Sequence, residues 1–203
     1  MVCPVECNAE CCRRWWITLL PEELEKAVAF TGLERKRFVE EKCVLFAELF
    51  PLTEKKSGIV VFSGLLPRSL AGQIRESFGF LPDFFLALPA LAFKRPGQKC
   101  VFLNESNLCS IYPARPRQCT LFPSISVEGK PSDLYGFCPL ARNARRGIDQ
   151  EHFQRLTHYY SEVEGRGFSA LWAHLPREAI VKVNGNEFRV SRQDFLGLLG
   201  PYS

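Results

Sequence analysis

The sequence predicts an α+β fold, with several helices packed around small antiparallel hairpins. Three observations predict it. Apolar residues recur at helical spacing in separate segments bounded by proline and glycine. Two β-prone runs, residues 180–183 and 187–190, surround Asn184-Gly185, the dipeptide of a tight hairpin turn. Finally, Cys100, Cys109 and Cys119 fall within twenty residues, interleaved with Pro113 and Pro116 and followed by Pro123 and Cys138. Prolines fix φ and break regular elements, so something else must hold this stretch rigid. Thiolates converging on a metal would do so, and the fold class therefore includes a cysteine metal site as its organiser.

Taken in order, residues 1–14 read as a loop carrying a first cysteine knot, Cys3-x3-Cys7-x3-Cys11-Cys12. It is too close to the start to build its own core, so the fold is expected to close when this knot meets the central cysteines. Pro21-Glu22-Glu23 starts a helix, with proline in its first turn and acids beside its positive end. Leu20, Leu24, Ala27 and Val28 give that helix its apolar face, and Gly32 caps it. A second helix is predicted over 34–50, where Val39, Cys43, Phe46, Ala47 and Phe50 make one stripe and Pro51 stops it.

Residues 59–62 have strand propensity, and 69–80 read as a helix through Leu70, Ile74 and Phe78. The apolar stretch 81–93 is broken by Pro82 and Pro89 and reads as an irregular wall or one short strand. Residues 100–109 resemble a β-hairpin, with 101–103 and 109–112 flanking the polar turn 104–107. A helical turn is predicted over 115–121, and helices over 149–163 and 168–175. Ser191 with Asp194 opens a short terminal helix. The expected organisation is a cysteine-cluster metal-binding domain over 1–147, with C-terminal helices and a hairpin over 148–203 packed on it.

Composition narrows the function classes. At 203 residues, 46% hydrophobic and with seventeen Phe, the chain can bury a sizeable core. Its net charge of +4 is too mild to imply nucleic acid, and the cluster Arg142, Arg145 and Arg146 reads as a solvated face. No apolar run approaches the length of a membrane span, and residues 1–7 lack the pattern of a secretory signal. The expected location is therefore the cytoplasm, where thiols stay reduced. Nine cysteines in a reduced chain point to metal or redox chemistry, and an odd count fits poorly with a full disulfide framework.

Eight cysteines lie outside the predicted 34–50 helix: Cys3, Cys7, Cys11, Cys12, Cys100, Cys109, Cys119 and Cys138. These are the candidate metal ligands, and they divide into two sets of four. Cys11 and Cys12, if extended, would point to opposite sides and would not share one ion. Structural zinc usually takes ligands from Cys-x2-Cys knuckles, which are absent here. A 4Fe-4S cluster presents its irons at separate corners and tolerates the long, odd spacers seen, so spacing leans toward iron–sulfur over Zn2+. The Cys-x3-Cys-x2-Cys loop of radical S-adenosylmethionine enzymes does not match, because the third cysteine comes one residue late.

Other chemistry is thin. His152, His158 and His174 read as surface or interface positions, and no phosphate loop or nucleophile motif is present. Arg115 and Arg117 flank Pro116 just before Cys119. One reading has them favouring thiolate over thiol; the other has Arg115 pinning the hairpin to Glu6 or Glu10. Trp15, Trp16, Phe102, Tyr112, Phe122 and Phe137 lie near cysteines, where they suit either a water-shielded cluster or an ordinary core.

The doubled Cys11-Cys12 followed by Leu-Pro-Glu-Glu-Leu resembles a family of cysteine-cluster proteins described as zinc- or iron-chelating domains. So does the run Cys100-x-Phe-Leu, Cys109-x-Ile-Tyr, Arg115-Pro-x-x-Cys119 and Phe122-Pro. The usual Cys-x2-Cys-x2-Cys-Cys pattern has three-residue spacers here. The resemblance covers 3–138 and implies a metal ion or cluster as ligand. Enzymes that methylate lysines of flagellin are relatives, so the resemblance also implies a protein-modifying activity, lysine methyltransferase-like. A further alternative is a metal-stabilised interaction module whose basic face or terminal hairpin binds a protein partner.

Overall fold

The computed structural model describes residues 9–53, 58–122 and 149–203, together with the backbone of 125–126 and 145–146. Within these the chain is α+β, as the sequence predicts. It divides into two compact units, one of Met1–Leu33 with Phe93–Thr157, the other of Glu34–Ala92 with His158–Ser203.

The first unit begins with the short helix α1 (Glu10–Arg14), the two-residue strand β1 (Thr18–Leu19) and the helix α2 (Pro21–Thr31). Pro21 opens α2 and Gly32, at φ 68°, closes it in the left-handed region that glycine adopts without strain. Leu24 and Ala27 of α2 are wholly buried, and this helix packs against the turn at 112–114. The five-residue helix α5 (Arg117–Leu121) follows that turn. A short parallel pair, β5 (Ile125–Ser126) with β6 (Arg145–Arg146), comes next. The helix α6 (Gln150–Arg166) begins in this unit and ends in the other.

The predicted 100–109 hairpin is reduced to one isolated bridge, Leu103 with Cys109. The polar turn is present: Asn104 accepts from Asn107 at 3.1 Å and donates to Leu108 at 3.0 Å. What fails is the first arm, whose backbone N–H groups go elsewhere. Cys100 donates to Cys12 at 2.8 Å and Val101 to Lys94 at 2.9 Å. The expected loop over 1–14 is also corrected, since Cys11 and Cys12 stand in α1.

The second unit holds α3 (Arg35–Lys42), β2 (Cys43–Leu52), β3 (Val60–Phe62), α4 (Arg68–Phe78) and β4 (Phe84–Phe93). It continues with β7 (Glu178–Val183), β8 (Asn186–Ser191) and α7 (Arg192–Leu199). Its strands run in the order β4-β2-β7-β8, with β3 added to β4. The helix predicted over 34–50 stops at Lys42, and Cys43 begins a strand. Residues 43–47 are all buried, so this segment has no polar face. A strand covered on both sides reads as a continuous apolar run, and its chance i, i+4 matches imitate a helix stripe. The stretch 84–93 is likewise a full ten-residue strand despite Pro89, whose carbonyl accepts from the Tyr159 hydroxyl at 3.1 Å. The helix expected over 168–175 shrinks to a single 3-10 turn at 169–171.

β2 and β7 pair in parallel, from Leu45 opposite Ala179 to Leu49 opposite Val183, so the sheet is mixed rather than a set of antiparallel hairpins. The β7–β8 hairpin turns through Asn184 and Gly185 at φ 46° and 87°, the double positive value a two-residue turn of this hand needs. Ser191 Oγ accepts from the Asp194 backbone at 3.0 Å and caps α7. Val181 and Val183 are fully buried, each contributing about 2 kcal/mol of apolar burial. The half-exposed Lys182–Glu48 ion pair at 2.8 Å adds at most about 1 kcal/mol. Apolar burial therefore holds the sheet and sets its register, and the ion pair adds little.

Candidate metal centre

Four cysteine sulfurs of the first unit lie in one electrostatic field. The thiol of Cys119 is pushed well up, first by burial and then by the charges of Cys100, Cys11 and Cys109. Cys100, buried, rises to about 11, from burial and from Cys109 and Cys11. Cys109 rises for the same reasons, burial first and then the charge of Cys11. Cys11 rises through a contact with Cys12 first and then burial. Cys11 thus acts on Cys100, Cys109 and Cys119, and Cys119 feels all of the other three.

Three segments deliver them. Cys11 sits on α1, tied to the central segment by the Cys100-to-Cys12 backbone bond. A second tie is Arg13, whose Nη2 donates to Asn107 Oδ1 at 2.7 Å. Arg95 adds a third. Its guanidinium donates to the carbonyls of Arg13 and Gln98 and stacks on Trp16, 5.2 Å from the ring centre. Cys100 and Cys109 come from the proline-rich loop. Cys119 comes from α5, which Gln118 anchors by accepting from Thr18 at 3.1 Å and donating to the Trp16 carbonyl at 3.2 Å.

The strongest anchor of α5 is a carboxylate that the sequence presented only as a helix-start acid. Glu23 is 7% exposed and accepts from the Leu20 backbone at 3.0 Å and from the Arg117 backbone at 2.8 Å. It therefore caps α2 and α5 together. The Arg117 side chain turns the other way, to Asp149 at 2.9 and 3.0 Å and to Glu151 at 2.9 Å. Asp149 in turn accepts from the His152 backbone at 2.7 Å, which, more than Arg117, holds its carboxyl below the usual range. Asp149 lies thirty-two residues from Arg117, so no local pattern announces it.

Arg117 therefore braces the fold and does not face the thiols. Arg115 stacks over Tyr112 at 4.0 Å, and its positive charge works against the rise of Cys109 and Cys119. Glu10, the partner envisaged for Arg115, pairs instead with Arg14 at 3.0 Å. Trp15 packs on Phe122 at 4.9 Å and Phe93 on Phe102 at 4.7 Å.

Cys11 and Cys12 are adjacent in a helix, not extended, and their sulfurs lie 3.9 Å apart. The sequence argument that they point to opposite sides does not apply. Cys3, Cys7 and Cys138 lie outside the described residues, as do Glu6, Phe137 and Arg142. Among the described residues, no three His, Cys, Asp or Glu donors are gathered closely enough to hold an ion. The donor set nevertheless suits a soft cation. Thiols held up by burial and by neighbouring thiols would each be lowered by positive charge placed among them.

A family model, CxxCxxCC, described as a zinc- or iron-chelating domain, matches residues 2–139. The chain belongs to this family. Neither a curated protein sequence nor a solved structure matches it. The match spans all the CxxCxxCC cysteines named above, and it includes Cys43 by position only. No described helix is long and apolar enough to cross a membrane.

Cys43 differs from the other described cysteines. It is fully buried at the start of β2 in the second unit, and it is not among the groups acting on the four thiols. A buried free cysteine behaves as a small hydrophobe. Cys43→Ala is expected to cost about 1 kcal/mol in urea unfolding and to leave the metal-to-protein ratio of the purified protein unchanged.

His152 carries a pH signature. Its Nδ1 is buried without a hydrogen-bond partner, and burial holds the imidazole below its ordinary value, with Glu23 opposing. A base with a depressed folded pKa stabilises fully above its unfolded value and loses that contribution as pH falls through the folded one. The chain is expected to lose stability on acidification below about pH 6.5. His152→Phe, which sacrifices no Nδ1 bond, should flatten that loss in denaturant midpoints compared at neutral and mildly acidic pH.

Proposed function

We propose that this chain is a metal-binding protein whose Cys11, Cys100, Cys109 and Cys119 thiolates hold an iron–sulfur cluster, with zinc as the competing occupant. The observation that carries the reading is the convergence of Cys11, Cys100 and Cys109 on the Cys119 thiol, whose pKa all three push up. Four thiolates are the ligand set of a 4Fe-4S cluster, and separate segments with long spacers suit its separated corners. Arg115 and Arg95 supply nearby positive charge, the usual means of lowering the cost of thiolates in a dry site.

Cys3, Cys7, Cys12 and Cys138 are then the candidates for a second set of four thiolate ligands. A bound cluster would supply one-electron chemistry, and zinc would supply folding energy. The residues of the chain hold the ligands, exclude water through Phe102 and Trp15, and keep the thiols from oxidation in a reducing cytoplasm.

The test is purification without oxygen, followed by metal and sulfide analysis. Iron with acid-labile sulfide and broad visible absorption supports the cluster. Colourless protein with stoichiometric zinc supports the competing occupant. Traces of any transition metal with disulfide-bonded cysteines would overturn both.

A further inference from the structure

The second unit ends its sheet in an edge strand with an unusual charge row. Among the described residues β8 stands last in the order β4-β2-β7-β8. One row crosses three strands: Glu48 of β2 lies opposite Lys182 of β7, which lies opposite Glu187 of β8. Its signs run negative, positive, negative, and the Lys182–Glu48 pair is closed at 2.8 Å. The row stops at the edge on a negative residue. Two positions further along the same strand and on the same face stands Arg189, and both Glu187 and Arg189 are exposed.

The backbone has the matching parity. A two-residue turn makes Val183 with Asn186, and hence Val181 with Phe188, the pairs that exchange hydrogen bonds. The peptide groups of Glu187 and Arg189 therefore point away from β7, outward along the edge.

We propose that β8 pairs antiparallel with β8 of a second copy of this chain, about a two-fold axis through Phe188. In that register Glu187 of each copy faces Arg189 of the other, as a pair that exchanges both backbone hydrogen bonds. The charge row is then extended by one positive residue on each side of the axis. Isologous pairing of this kind is the commonest route to a closed dimer, and it removes an exposed strand edge. The proposal does not depend on the metal reading, since it uses residues of the second unit alone.

The test is sedimentation of the anaerobically purified chain across the micromolar range. A particle of twice 23.1 kDa, weakened by added salt, is the expected result. Arg189→Glu and Glu187→Arg should each weaken self-association about tenfold or more, because each sets like charges across the axis twice. An equimolar mixture of the two variants should dimerise again, since only the mixed pair restores both attractions. Arg189→Pro, which removes an outward N–H and keeps the hairpin's own bonds, should be monomeric with an unchanged circular dichroism spectrum. A wild-type monomer at every concentration would overturn the proposal, even if the edge bound a foreign extended peptide. So would a persisting Arg189→Pro dimer, or folded charge variants that stay monomeric when mixed.

Discussion

Cys119→Ser is expected to strip the protein of most of its metal and to abolish cooperative melting of the first unit. A serine hydroxyl keeps its proton at neutral pH and offers no anionic ligand. The scale of the effect follows from linkage. Structural zinc in thiolate sites contributes about 10–16 kcal/mol of apparent binding energy. That matches or exceeds the whole folding free energy of a typical domain, about 5–15 kcal/mol. Losing one of four ligands therefore reaches the fold as well as the site. The Cys119 thiol also feels Cys100, Cys11 and Cys109 at once. Metal analysis and thermal melts of Cys119→Ser beside Cys43→Ala check this. If Cys119→Ser kept full metal and a normal melt, the ligand set proposed above would be wrong.

Glu23→Ala is expected to be the most damaging change that touches no cysteine. It leaves two N–H donors, of Leu20 and Arg117, without their acceptor in a place where Glu23 itself is almost fully covered. Each such loss costs about 1–3 kcal/mol, so the variant should be destabilised by about 2–6 kcal/mol. Glu23→Gln keeps one acceptor oxygen and should lose about half as much. Urea unfolding with an exposed control on the same helix, Lys26→Ala, measures it. Equal losses in Glu23→Ala and Lys26→Ala would show that the shared cap contributes nothing. Because α5 hangs from this cap, the Ala variant should also bind metal more weakly.

Local chemistry made some of this structure legible in advance. Pro21 and Gly32 delimit α2, Asn184-Gly185 turns the β7–β8 hairpin, and Ser191 with Asp194 opens α7, each through residues adjacent in the chain. Spacing and composition mark eight candidate cysteines but do not single out Cys11, Cys100, Cys109 and Cys119 among them. Where partners are distant, the sequence misleads. Cys43 looked helical because a strand buried on both faces carries no polar alternation. The 100–109 arms looked like a hairpin because nothing local reveals that Cys100 donates to Cys12, eighty-eight residues earlier. Glu23 could not be singled out, since its second donor is ninety-four residues away. A helix N-terminal acid and a buried double cap look the same in one dimension.

The parallel pairing of β2 with β7 has a consequence for how the chain is made. Leu45 meets Ala179, so one side of β2 stays without its neighbour until 134 further residues have been synthesised. At about 5–20 residues per second, that is about 7–27 seconds of translation. During that interval the growing chain carries Val44, Leu45, Phe46 and Ala47, all destined for burial, on an open strand border. Nascent chains released before residue 183 would keep that border permanently. Such fragments, rather than the finished protein, should be the species that chaperones bind and that aggregates when expression is fast.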